Sequence, residues 1–186
     1  HIPDEVAYLF QARYLAEGKV SVRAPSVPEA FSFYMVPYRA ERWYSIFPPG
    51  WPAVLSLGVR VGAPWLVNPA LAGLNTLLIY LLIQELYDLR TARIGVLLLC
   101  ASPWHVFMGM SFMAHTLTLT CTVGATLGVI GARRKGKAWP AVLAGGLVGV
   151  VSLIRPPDGA LVAVLLGLWA IGVGGVRLRP LAIAAY

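Results

Sequence analysis

The pattern of apolar and polar positions changes near residue 65. Before it, polar, aromatic and proline residues interrupt every apolar stretch. After it, apolar runs follow one another, separated by short charged loops. Residues 66–87, about 22 in length, suit a bilayer core roughly 30 Å thick. Further spans are predicted over 94–113, 117–132, 138–154 and 159–176, and another would start near 181. The third is Thr-rich, but Thr hydroxyls can bond back to helix carbonyls. Gly145-Gly146 and Gly149 suit close helix packing in lipid.

Residues 1–65 read as a separate unit. They hold eight of the 14 prolines and 12 of the 20 aromatic residues. A helix is predicted from Asp4 to Gly18, following Pro3. It has no clean apolar stripe, although Asp4, Tyr8, Gln11 and Leu15 share a face. Such a helix belongs between protein and membrane interface. Pro48-Pro49-Gly50-Trp51-Pro52 opens a second short helix, to about Val61. The fold predicted is an all-α, polytopic integral membrane helical bundle. Its outer-face loop, 1–65, carries interfacial helices, and 66–186 supply the transmembrane helices.

Charge orients the bundle. Arg90, Arg93, Arg133, Arg134, Lys135, Lys137, Arg177 and Arg179 fall in alternate loops. The loops between them, 103–115 and 155–158, carry only Arg155. That asymmetry follows the positive-inside pattern and places 1–65, 103–115 and 155–158 together on the outer face. Composition agrees: 58% of residues are hydrophobic, 12% are charged, and mean hydropathy is +0.72. Soluble proteins are about half apolar and a quarter charged. A soluble enzyme and a disordered tail are thus excluded. The net charge of +7 follows from topology, not from binding nucleic acid. The chain opens at His1 without a Met and stops inside an apolar run, as a piece of a longer membrane protein would.

Asp4-Glu5 is the sharpest candidate for chemistry. Adjacent carboxylates at a helix start, just outside a membrane, can take a proton from an acceptor and orient it. The alternative makes Asp4 an N-cap and Glu5 a partner of the helix dipole. The histidines have no zinc-site spacing. A divalent ion between Asp4 and another carboxylate is compatible with the sequence, which does not require it. Cys100 and Cys121 lie in apolar runs and read as small buried hydrophobes.

The string His1-Ile2-Pro3-Asp4-Glu5-Val6-Ala7-Tyr8, with Gln11-Ala12-Arg13 and Gly18, resembles the first outer loop of a known group. These are the polyprenyl-phosphate-sugar-dependent glycosyltransferases of the C-type membrane superfamily, including the protein O-mannosyltransferases and the aminoarabinose transferase of lipid A. Tyr44-Ser45-Ile46-Phe47-Pro48-Pro49-Gly50-Trp51-Pro52 resembles the Pro-Pro segment of that loop. Leu78-Ile79-Tyr80-Leu81-Leu82, Glu85-Leu86-Tyr87 and Ser102-Pro103 resemble the next two helices. The resemblance implies that Asp4 is the catalytic base and that Glu5 positions the acceptor. Two positions depart from the pattern. His115 stands where relatives usually carry Asp. Phe47 stands where the aminoarabinose enzyme has a phosphate-holding Lys.

Arg155, followed by Pro156-Pro157, is then placed to clamp a lipid phosphate. Pairing with Asp158 or lipid headgroups is the alternative. Arg42 is a second phosphate candidate, and His115 could bond a phosphate or sugar hydroxyl. His105 reads as interfacial. The implied function is inverting sugar transfer from a polyprenyl-phosphate-linked donor to a hydroxyl acceptor. It would occur at the periplasmic or outer face of a bacterial inner membrane. The sugar and the acceptor (glycan, lipid or protein) are not specified. The rivals are a transporter or flippase of lipid-linked sugars and a non-catalytic membrane protein. Transporters usually place ionisable residues inside their spans, whereas these are free of charged residues from Leu66 to Gln84 and from Ile94 onward to each next loop.

Overall fold

The computed structural model describes residues 2–31, 34–39 and 41–172. Eight helices dominate them. Helix α1, Pro3–Ala16, has Pro3 at its first position, acids in its first turn and Arg13 in its last, all matching helix-end preferences. Three two-residue strands follow: β1 (Val22–Arg23), β2 (Tyr38–Arg39) and β3 (Arg42–Trp43). They form an antiparallel sheet in the order β1-β3-β2. Helix α2, Gly50–Arg60, precedes a short 3-10 turn at Pro64–Leu66. The remaining helices are α3 (Val67–Leu86), α4 (Leu89–Cys100), α5 (Pro103–Met110), α6 (His115–Lys135), α7 (Trp139–Ile154) and α8 (Pro156–Ala170).

Residues 64–86 and His115–Arg134 are long and apolar enough to cross a membrane. The first carries exposed Leu74, Leu77 and Leu81, the surface expected of a lipid-facing helix. The uninterrupted span expected over 94–113 is instead two helices. α4 and α5 meet at 60°, because Ser102 caps a new helix with Pro103 at its first position. The pair counts as a third span if taken together. α7 and α8 are shorter, with 16 and 15 residues. α8 begins at Pro156 rather than near 159, since Pro-Pro is accommodated in a first helical turn. The helix start predicted near 181 lies outside the described residues.

Cross-links between helices set their directions. Midway along α3, Asn75 Nδ2 donates at 2.9 Å to Thr116 O near the start of α6. Near their other ends, Arg134 pairs with Glu85. Arg133 donates to Trp169 O at 3.0 Å and lies 5.5 Å from the Trp169 ring centroid. α3, α6 and α8 therefore run the same way. α7 runs back against α6, in contact so close that a Cβ on Gly128 would sit 2.8 Å from Pro140 O. Residues 2–16, 50–60, 111–115 and 155–158 consequently gather at one end of the bundle. Residues 86–89 and 133–139 lie at the other.

At the first end, α1 is the middle of three layers. One side packs Tyr8 and Ala12 against Trp51 and Leu55 of α2, Leu117 of α6, and Val151 and Ile154 of α7. Trp51 and Leu55 are fully enclosed, and burying such a side chain contributes about 1.5–3 kcal/mol. The other side places Ala7 against Met35 and Val36. Phe10 stacks on Trp43 with ring centroids 4.6 Å apart. The Trp43 indole donates to Val36 O at 2.9 Å.

Candidate active site

The cap reading of Asp4 does not hold. Ile2 is the N-cap of α1, so Asp4 and Glu5 occupy the second and third helical positions. The capping contact belongs to Glu5, whose Oε2 accepts from Ile2 N at 3.2 Å. Its Oε1 accepts from Phe112 N at 2.8 Å. Glu5 is 7% exposed, and both carboxylate oxygens are engaged by backbone donors. Buried polar groups are satisfied by bonds of this kind. Asp4 is only partly buried.

Phe112 belongs to the turn between α5 and α6, which several elements hold. Trp51 Nε1 donates to Phe112 O at 2.7 Å. Asn68 Nδ2 donates to Ser111 O and, at 3.0 Å, to Met113 O. Asn68 is 2% exposed, so these bonds stay shielded from water. The turn leads directly into His115, the first residue of α6. The side chain of His115 is half-buried, and its Nδ1 has no hydrogen-bond partner.

Arg155 sits in extended backbone between α7 and α8. Its Nη1 lies 3.2 Å from Asp158 Oδ2, and the side chain is 46% exposed. The start of α2 presses against the same corner: a Cβ on Gly50 would come within 2.7 Å of the Leu153 carbonyl. Only glycine allows that approach, which brings the Pro-Pro segment beside the arginine turn.

Electrostatics link these parts. Burial pushes the Tyr8 hydroxyl above the usual phenol range; Asp4 adds to the shift and Arg155 opposes it. Tyr8 is thus a neutral hydroxyl near pH 7, within the fields of both groups. Asp4, Arg155 and Asp158 also act on His115. The packing brings the start of α1, with Asp4 and Tyr8, to the same end of the bundle as the start of α6, with His115, and the α7–α8 turn, with Arg155, while Glu5 ties α1 to the turn before His115. The sequence alone assigns Tyr8 no chemistry, although its i+4 spacing from Asp4 is legible there. It stacks on Phe47 at 4.5 Å, and Phe47 O accepts from Gln11 Nε2 at 3.1 Å.

Arg42 is not brought into this group. It is exposed on β3 and is not among the charges acting on Tyr8 or His115. His105 turns toward α3, with Nε2 3.3 Å from Thr76 Oγ1. Cys121 is buried as expected, but Cys100 is exposed at the end of α4. Among the described residues, no three His, Cys, Asp or Glu side chains cluster to hold a metal ion. An opening of about 520 Å³ beside Glu5 is lined by Ile2, Phe107, Met110, Ser111 and Phe112. That volume lies within the usual range for small-molecule sites, roughly 300–1,000 Å³.

The fold and these polar groups define an integral membrane protein of helical architecture, with acidic and basic side chains gathered at one end of its bundle. Residues 48–182 match the dolichyl-phosphate-mannose-protein mannosyltransferase family, and the chain belongs to that family. It is thereby a member of a glycosyltransferase family that uses lipid-phosphate-linked sugars. The match covers α2 to α8 and Arg155; it does not reach Asp4 and Glu5. No curated protein and no solved structure matches the chain.

Proposed function

We propose that the chain transfers a sugar from a polyprenyl-phosphate-linked donor to an acceptor hydroxyl at the outer membrane–water interface, with Asp4 as general base. The carrying observation is that Tyr8 of α1, one turn on from Asp4, packs in the same core as Ile154, the residue before Arg155. The Asp4 carboxylate takes the acceptor proton, and the acceptor oxygen attacks the anomeric carbon. The bond to the lipid phosphate breaks on the opposite side, inverting the configuration. The products are the glycoside and polyprenyl phosphate, and the proton passes from Asp4 to water.

Arg155 carries the charge of the departing phosphate. Its pairing with Asp158 uses part of a five-donor fork, leaving donors for phosphate oxygens. Tyr8, neutral at this pH, offers a hydroxyl beside the same charge. Glu5 acts through position: its two backbone bonds hold the start of α1 against the turn at Phe112. The apolar opening beside Glu5 suits the isoprenoid end of the donor or an apolar acceptor. The identity of the sugar follows from none of these contacts.

Replacing Arg155 by Ala should raise KM for the lipid-linked donor by about tenfold to a hundredfold, the worth of a hydrogen bond to a charged group. The Lys variant should recover part of this. The check is an initial-rate assay over a donor concentration series in the full-length protein. An unchanged donor KM would remove Arg155 from the phosphate site.

The outer-face placement rests on the loop charges. Cysteines introduced at Ser26 and Gly136 should report opposite sides of the membrane. An impermeant thiol reagent applied to intact cells should label Ser26→Cys and spare Gly136→Cys. The reverse pattern would turn the proposed site toward the cytoplasm.

A further inference from the structure

A second cavity, of about 250 Å³, opens where α4 breaks from α5, against the middle of α3 and the first turn of α6. Phe107 and Met110 of α5 line the opening beside Glu5, whereas Trp104 and His105 of the same helix line this one. Between apolar helices such a gap is normally lined by aliphatic side chains. Here Asn75, Ser102, His115 and Thr116 contribute to its wall.

Two of these carry buried polar atoms that the protein leaves unpaired. Asn75 is fully buried. Its Nδ2 donates to Thr116 O at 2.9 Å, which fixes the orientation of the amide, because only the nitrogen can donate to a carbonyl. Oδ1 is therefore an acceptor, and it has no partner. A buried acceptor left in that state destabilises the fold unless a ligand or water donates to it. His115 Nδ1 is also buried and without a partner; an imidazole nitrogen donates or accepts according to its tautomer. Ser102 Oγ accepts from His105 N, which leaves its proton to donate.

This set of atoms selects a class of ligand. No Asp, Glu, Lys or Arg lines the cavity, so a phosphate or an ammonium would enter it without a counter-charge. A ligand has to donate to Asn75, accept from Ser102 and do either at His115. Hydroxyl groups do all three. Trp104 also lines the cavity and is 67% exposed, so its ring offers an apolar face beside these polar atoms. Several hydroxyls on a ring with an apolar C–H face are the chemistry of a monosaccharide. The volume would hold about eight waters, which is room for one pyranose.

We propose that this cavity binds a monosaccharide unit through Asn75 Oδ1, His115 Nδ1 and the Trp104 ring. The inference rests on the sugar-transfer reading for the source of that unit, the lipid-linked donor or a glycan acceptor. His115 then serves the sugar rather than the phosphate, and Asn75, Ser102 and Trp104 determine which sugar fits.

The test measures binding to the full-length protein in detergent micelles. The probes are polyprenyl phosphates carrying mannose, glucose or arabinose, bare polyprenyl phosphate, and the three methyl glycosides. If the unit belongs to the donor, one lipid-linked sugar should bind about tenfold tighter than bare polyprenyl phosphate. If it belongs to the acceptor, a methyl glycoside should bind in the presence of bare polyprenyl phosphate. Asn75→Leu should remove about tenfold of the sugar-dependent affinity. Trp104→Ala, at an exposed position, should remove roughly threefold, and Trp104→Phe should keep most of it. Both losses should leave the affinity for bare polyprenyl phosphate unchanged, whereas a damaged fold would weaken all probes together. Bare polyprenyl phosphate binding as well as every lipid-linked sugar, with no glycoside bound, would mean a cavity that holds only water. That result overturns the inference and leaves the transfer reading standing. Sugar binding untouched by both variants would also overturn it. Failure of every lipid phosphate to bind would instead sink the transfer reading, and this inference with it.

Discussion

Asp4→Asn is expected to remove sugar transfer while leaving the fold in place. Loss of a general base costs about 10²–10⁴-fold in rate. The side chain keeps its size, and it caps nothing, since Ile2 occupies the N-cap position. Stability should thus change by a few tenths of a kcal/mol, from the lost interaction of a negative charge with the helix N-terminus. The measurement is turnover with a lipid-linked sugar donor, together with thermal unfolding of the same purified full-length protein. Donor binding should persist, because Arg155 is untouched. Full turnover by this variant would end the assignment of Asp4 as base.

Glu5→Ala should behave differently, losing activity and stability together. It deletes two charge-assisted bonds, to Ile2 N and Phe112 N. Such bonds contribute about 1.5–3 kcal/mol each when buried, and the first lies at a partly solvated helix start. A loss of about 2–4 kcal/mol is expected, a sizeable share of a typical stability of 5–15 kcal/mol. Glu5→Gln keeps an acceptor for one donor and should fall between. Thermal unfolding ranks the three proteins, and turnover measured well below the transition reports the displacement of Asp4. If Glu5→Ala unfolds like the unmodified protein, its carboxylate is not a brace.

The contrast between these neighbours shows where sequence reading reached and where it stopped. Apolar periodicity found the long helices because a membrane span needs only length and hydrophobicity. α3 and α6 lie close to their expected limits. The same criterion ran through Ser102-Pro103 and merged α4 with α5, although Ser followed by Pro is itself a helix-start signal. Two-residue strands leave no alternation to detect, so the small sheet of β1, β3 and β2 is not legible in the sequence. Arg42 is legible as a cation beside Trp43-Tyr44, but its exposed place on β3 is not. Asp4, Arg155 and His115 were legible as chemical types, and the fold draws them together. Glu5 was legible as an acid; its task was not, because the partner it holds lies 107 residues further on.

That separation bears on biosynthesis. The carboxylate pair emerges from the ribosome before α2–α8, and the local bond from Ile2 N to Glu5 does not tie it to them. Phe112 reaches it from 107 residues downstream, and Trp51 grips the same residue across 61. Asn68 holds Met113 across 45. Until α5 and α6 have been synthesised and inserted, α1 lacks the surface that aims Asp4. On the reading that makes Asp4 the base, a nascent chain stays chemically silent until the α5–α6 turn meets Glu5.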